Sequence, residues 1–117
     1  WNMDKHIEVS MLLEIYGKLL TDKQQSVLNE YYNNDLSLAE IADEYHISRQ
    51  GVRDILMKGE GKLFEYEEKL AIMKKTKKQE EQIQIILSQL SEIKDNSSDK
   101  KIEKILNEVQ KELSVLA

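Results

Sequence analysis

Residues 37–58, SLAEIADEYHISRQGVRDILMK, decide how this chain folds. Ser37 and Glu40 stand three apart, the spacing at which a hydroxyl and a carboxylate satisfy each other's orphan backbone donors and start a helix. That helix is short, ends near Glu44, and turns Leu38, Ile41, Ala42 and Tyr45 inward. Three residues later Ser48 signals another start, and Val52, Ile55 and Leu56 hold the new helix to a core. Ala42 is small where the two helices must cross closely, and Ile47 fills the gap between them. His46 falls where such turns often take glycine with positive φ, a conformation that histidine tolerates moderately. The layout is that of a helix-turn-helix.

Outward from this core, Thr21-Asp22-Lys23-Gln24 forms a second capping box. It opens a helix with Val27, Leu28, Tyr31 and Tyr32 inward, ended by Asn33-Asn34-Asp35. Before it, residues 7–20 spell a helix whose apolar face is Met11, Leu12, Ile15, Tyr16, Leu19 and Leu20. The helix from Ser48 continues through Leu63 and Phe64 toward Met73. Gly59 and Gly61 weaken it by roughly 1 kcal/mol each relative to alanine, so a bend or a close packing contact is expected there.

Beyond residue 78 the stripe narrows to Ile83, Ile86, Leu87, Leu90 and Ile93. Asp95-Asn96-Ser97-Ser98-Asp99 breaks it, and Ile102, Ile105, Leu106, Val109, Leu113 and Leu116 resume it. Two amphipathic helices joined by a polar turn predict an αα-hairpin whose stripes are buried. The expected organisation is a helix-turn-helix domain over 3–73, then a basic linker and helical hairpin over 74–117. Trp1-Asn2, ahead of Met3, read as a cloning remnant outside the fold.

Composition supports an all-α chain. Proline is absent, glycine occurs four times, and 40% of the 117 residues are hydrophobic but only 6% aromatic. Short strands punctuated by Gly and Pro are not written here. With no cysteine there is no disulfide framework, thiolate metal site or thiol nucleophile. Apolar runs stop at four residues, Leu70 through Met73, which excludes a membrane span or a signal-peptide core and predicts a cytoplasmic protein. His6 and His46 lack metal-ligand spacing, no glycine-rich phosphate loop is present, and the acidic pairs 43–44, 67–68 and 80–81 diverge on helices. No enzyme, cofactor or metal site is expected.

A net charge of −5 argues against a simple polyelectrolyte coating nucleic acid. Residues 1–70 carry eight Lys/Arg against fourteen Asp/Glu, and residues 71–117 nine against eight. Nucleic-acid binding must therefore rest on local basic faces. Two are candidates. The outer face of the helix after Ser48 carries Arg49, Gln50, Arg53, Asp54, Met57 and Lys58. Arginine can read guanine and glutamine adenine in two-point fashion, and the Ser48 hydroxyl at a helix N-terminus suits a phosphate. The second face is the run Lys74, Lys75, Lys77 and Lys78, which can grip phosphate or a GTPase partner.

Leu19-Leu20-Thr21-Asp22-Lys23-Gln24, Tyr31-Tyr32, Ser37 through Ala42, Ser48-Arg49-Gln50 with Val52 and Asp54, and Tyr66 through Leu70 together resemble two known groups. One is region 4 of bacterial sigma factors, which reads the −35 promoter element. The closer is the YlxM family, small helix-turn-helix proteins encoded beside signal-recognition-particle genes. The resemblance covers residues 12–70. It implies a nucleic-acid-binding regulator in the signal recognition particle pathway, acting on DNA or on the particle's RNA. The alternative it implies is a protein-interaction accessory of the particle's GTPase. Because helix-turn-helix proteins commonly bind as dimers, a homodimer is expected.

Overall fold

The computed structural model describes residues 4–116, which form six α-helices and one 3₁₀ turn. Their order is α1 (Lys5–Tyr16), the 3₁₀ turn Gly17–Leu19, α2 (Asp22–Tyr32), α3 (Leu38–Tyr45), α4 (Arg49–Leu70), α5 (Ile72–Asp95) and α6 (Lys100–Leu116). No strand occurs among the described residues, so the all-α expectation is borne out. Trp1, Asn2 and Met3 lie outside the described residues. Two compact units meet between Met73 and Lys74.

In the first unit α4 packs against α1, α2 and α3, and α1 packs against α2. Both capping boxes form. The Thr21 hydroxyl accepts from the Gln24 N–H at 3.1 Å while Gln24 Oε1 accepts from the Thr21 N–H at 3.2 Å. Ser37 and Glu40 repeat this at 3.1 and 3.2 Å. Val9, Leu12, Tyr16, Val27, Leu28, Ile41, Val52 and Leu63 are fully buried. Burying each of the Val, Leu and Ile side chains among them stabilises by about 1.5–3 kcal/mol.

The inward face of the first helix differs from the expected one. Val9 and Leu13 join the core, whereas Ile15 and Leu19 are 36% and 56% exposed. Within α1 the buried Val9, Leu12, Leu13 and Tyr16 form an i, i+3, i+4, i+7 face that leaves Ile15 to its side, and the 3₁₀ turn from Gly17 rotates Leu19 out of the α-helical register. Gly59 is the close contact anticipated for it: a Cβ there would lie 2.5 Å from Leu28 Cδ1, so α2 and α4 touch where only hydrogen fits. Nothing crowds Gly61.

α4 ends at Leu70 rather than running to Met73. Ala71 adopts φ 51°, and its N–H donates to the Glu67 carbonyl at 2.8 Å. The buried Tyr16 hydroxyl donates to Glu67 Oε1 at 2.8 Å and accepts from the Ile72 N–H at 3.1 Å. Glu67 Oε1 also accepts from the Met73 N–H at 3.0 Å. A tyrosine and a glutamate thus satisfy two of the four orphan donors of a new helix, which compensates a left-handed alanine. Burial, then the bond to Glu67, pushes the Tyr16 hydroxyl above its ordinary pKa.

One polar group is poorly compensated. Glu30 of α2 keeps Oε2 buried without a hydrogen-bond partner, while its Oε1 takes only a long 3.4 Å bond from the Tyr45 hydroxyl. Burial first, and the neighbouring Glu44 carboxyl second, hold its pKa above the ordinary 4.5. The folded state therefore binds this proton more readily than the unfolded chain. The stability it contributes is present below pH 4.5 and is lost as pH rises through the raised pKa. Glu30→Gln removes that loss and leaves Tyr45 an acceptor. In thermal melts from pH 4.5 to neutrality, the variant is expected to gain on the parent as pH rises; a constant difference would contradict the assignment.

The second unit comprises α5 from Lys74 onward and α6. Asp99 starts α6: its Oδ1 accepts from the Lys101 N–H at 2.9 Å and its carbonyl from the Glu103 N–H at 3.0 Å. The lysine run 74–78, expected as a linker, is helical because it contains good helix formers and neither glycine nor proline. The stripes are less covered than the spacing predicts. Ile83 and Leu106 are buried and Leu87, Leu90 and Leu113 half-buried, yet Ile86, Ile93, Ile102, Ile105, Val109 and Leu116 stay between 39% and 68% exposed.

Candidate nucleic-acid interface

The turn between α3 and α4 is fixed by backbone geometry. His46 adopts φ 56° and ψ 42°, the left-handed conformation its position calls for. The Ile47 N–H then donates to the Ala42 carbonyl at 3.0 Å, and Ile47 packs on the core. Ser48 caps α4: its Oγ accepts from the Gly51 N–H at 2.9 Å. That bond occupies one lone pair of the hydroxyl and leaves the O–H free to donate outward.

Buried Val52 and Leu56 set the rotation of α4, and Ile55 packs beside them. By helical geometry the opposite arc then presents Gln50, Asp54 and Met57 at its centre, with Arg53 and Lys58 on its flanks and Arg49 at its outer edge. All six are exposed, Met57 by 69%. Over residues 49–58 three cations face one carboxylate, so this arc is locally basic in a unit that is otherwise acidic. Gln50 Nε2 donates to Asp54 Oδ1 at 3.1 Å.

Ser48, Arg49, Gln50, Arg53 and Lys58 thus come together on one helix. Lys74, Lys75, Lys77 and Lys78 belong to the second unit, on α5, with Lys77 half-buried and the other three exposed. Tyr31 and Tyr32 are not base-stacking platforms. Tyr32 is buried, Tyr31 packs edge-on against it at 5.0 Å, and both join the core. His6 caps the end of α2 through a 2.8 Å bond between its Nε2 and the Tyr32 carbonyl, a role the sequence did not signal. A polar groove of about 520 Å³, lined by Ser10, Glu14, Lys18, Gln25, Asn29 and Asn33 among others, takes none of its lining from α3 or α4.

Comparison with known proteins agrees with this geometry. Residues 3–109 match the family UPF0122, described as "Putative helix-turn-helix protein, YlxM / p13 like". The chain belongs to the UPF0122 family. UPF0122 relatives include a protein of Clostridium kluyveri, 43% identical over 105 residues, which span 90% of this chain and 95% of the relative. One from Clostridium botulinum is 43% identical over 98 residues, covering 84% and 89%. Another, from Acetivibrio thermocellus, is 40% identical over 111 residues and covers 95% of each chain. The UPF0122 match spans both units, so the helices after residue 73 are part of what these proteins share and not an appendage peculiar to this chain. Among the described residues no helix is long and apolar enough to cross a membrane.

Proposed function

We propose that this UPF0122 protein is a nucleic-acid-binding regulator that lays α4 in the major groove of DNA. The observation that carries the reading is the arc of Gln50, Asp54 and Met57, flanked by Arg53 and Lys58 with Arg49 at its edge, projecting from a Ser48-capped helix in a helix-turn-helix. Central Gln50 suits adenine and central Met57 a thymine methyl, while the long Arg53 side chain can reach guanine from the flank. Flanking Arg49 and Lys58, together with Ser48 at the N-terminus, suit phosphates. Lys74, Lys75, Lys77 and Lys78 add sequence-independent phosphate affinity. The resemblance to a promoter-reading region points the same way. The signal recognition particle context rests on family resemblance alone, so the particle's RNA is the competing ligand and its GTPase the competing partner. Selection from a randomised duplex library tests the reading. A recurrent motif of a few base pairs is expected; no motif among the duplexes, with the RNA or the GTPase captured in a parallel pulldown, would replace the reading.

The uncovered stripes favour a homodimer as the binding form. The N-terminal half of α6 carries Lys100, Lys101 and Lys104 against Glu103, and its C-terminal half Glu108 and Glu112 against Lys111. Antiparallel pairing with a second copy sets lysines on carboxylates while Ile102, Ile105 and Val109 cover themselves, an isologous contact. Sedimentation equilibrium at tens of micromolar is expected to give twice the 13.7 kDa chain mass, and Ile105→Glu with Val109→Glu half of it. A monomeric parent would contradict the dimer.

A further inference from the structure

The carboxylate on the recognition face is an oddity for a surface meant to meet phosphate. Asp54 stands at the centre of the exposed arc, one turn beyond Gln50 on the same helix. By charge alone it weakens association with any nucleic acid. Its hydrogen bond gives it a different role. Gln50 Nε2 donates to Asp54 Oδ1 at 3.1 Å, and both residues are exposed. A carboxylate only accepts hydrogen bonds, whereas an amide offers a donor end and an acceptor end of nearly equal size. Of the two, only the NH₂ end can face Asp54, so Oε1 is turned away from it.

The consequence falls on base reading. A free glutamine flips its amide readily and offers donor or acceptor to whatever lies opposite. Adenine needs both at once, in one order: Oε1 accepting from N6–H and an N–H donating to N7. Guanine presents two acceptors in the same places and rejects a fixed carbonyl oxygen. With one amide hydrogen on Asp54, Gln50 retains the carbonyl oxygen and the other hydrogen, which is the adenine complement.

We infer that Asp54 is a positioning residue for sequence specificity: it locks the Gln50 amide in the orientation that accepts adenine and refuses guanine, at the expense of overall affinity. This rests on the major-groove reading above. The inference separates affinity from discrimination, because removing Asp54 should raise the first and lower the second. A residue that merely supports the helix would lower both together.

The test uses the full chain and duplexes taken from the library selection. The base pair read by Gln50 is first identified as the one whose preference disappears in Gln50→Ala. Affinities are then measured for that duplex and for its A·T to G·C variant at the same position. The parent is expected to prefer adenine by about tenfold or more, the order of one two-point contact. Asp54→Ala is expected to cut that preference to within about twofold while binding both duplexes at least as tightly as the parent. Asp54→Glu, which keeps an acceptor-only group, should restore the preference. Asp54→Ala with an unchanged adenine preference would overturn the inference and leave the major-groove reading standing. A parent that selects no duplex motif would overturn the major-groove reading, and the role of Asp54 with it.

Discussion

Truncating Ile41 to alanine is expected to cost about 2–5 kcal/mol of stability, the largest single-residue effect on folding foreseen here. Ile41 is fully buried in α3, in the same cluster as Val52 and Leu56 of α4 and Leu28 of α2. The shortened side chain leaves a cavity in a close-packed cluster whose surroundings relax only partially. At roughly 4 °C or more per kcal/mol for a domain of this size, the melting midpoint should drop by about 10 °C or more. Met57→Ala on the opposite, exposed face of α4 should stay within about 0.5 kcal/mol of the parent. Equal melting of the parent and Ile41→Ala would mean that α3 does not pack as described.

Most of this fold is legible in the sequence because its local signals agree with one another. Two capping boxes, the Ser48 cap and the inward positions Ile41, Ala42, Val52 and Leu56 are short-range rules, and each is realised in the structure. What escapes such rules depends on distant partners. The break at Ala71 has no glycine or proline to announce it; it exists because Tyr16 and Glu67, 51 residues apart, supply acceptors for the next helix. The rotation of the residues after Tyr16 escapes for a related reason, since periodicity assumes one uninterrupted α-helical register. In the candidate site, side-chain types and their common face can be read from spacing. The bond from Gln50 to Asp54 is legible too, because residues four apart on a helix are neighbours. Counting Asp54 only as a charge passes over it.

The exposed stripes of α5 and α6 carry a related lesson. Spacing announces that Ile102, Ile105 and Val109 share a face, but it does not say what covers them. A single copy leaves much of that face in water. The proposed pairing of two copies would cover it, and the sequence of one chain points to that partner only through its charge pattern.

The second large effect concerns binding. Replacing Arg49 and Gln50 together by alanine is expected to reduce discrimination between the selected duplex and a scrambled one by about 1–3 kcal/mol through the base that Gln50 no longer reads at two points, the Arg49 change adding a loss of affinity common to both. Alanine at Lys74, Lys75, Lys77 and Lys78 should act differently. It should weaken binding to both duplexes alike and flatten the salt dependence by about 0.9 in the logarithmic slope per phosphate no longer neutralised. The contrast follows from placement. Gln50 sits at the centre of the arc opposite the core-facing side of α4 and Arg49 at its edge, whereas the lysines line a helix of the other unit.

A mobility-shift titration of the parent, the Arg49→Ala/Gln50→Ala protein and the four-lysine variant, on selected and scrambled duplexes at two salt concentrations, tests the central claim most directly. The predicted result is that the α4 variant loses preference for the selected duplex while the lysine variant keeps that preference at lower affinity. If the lysine variant loses all binding and the α4 variant binds as the parent does, α4 is not the reading element and the helix-turn-helix serves another contact.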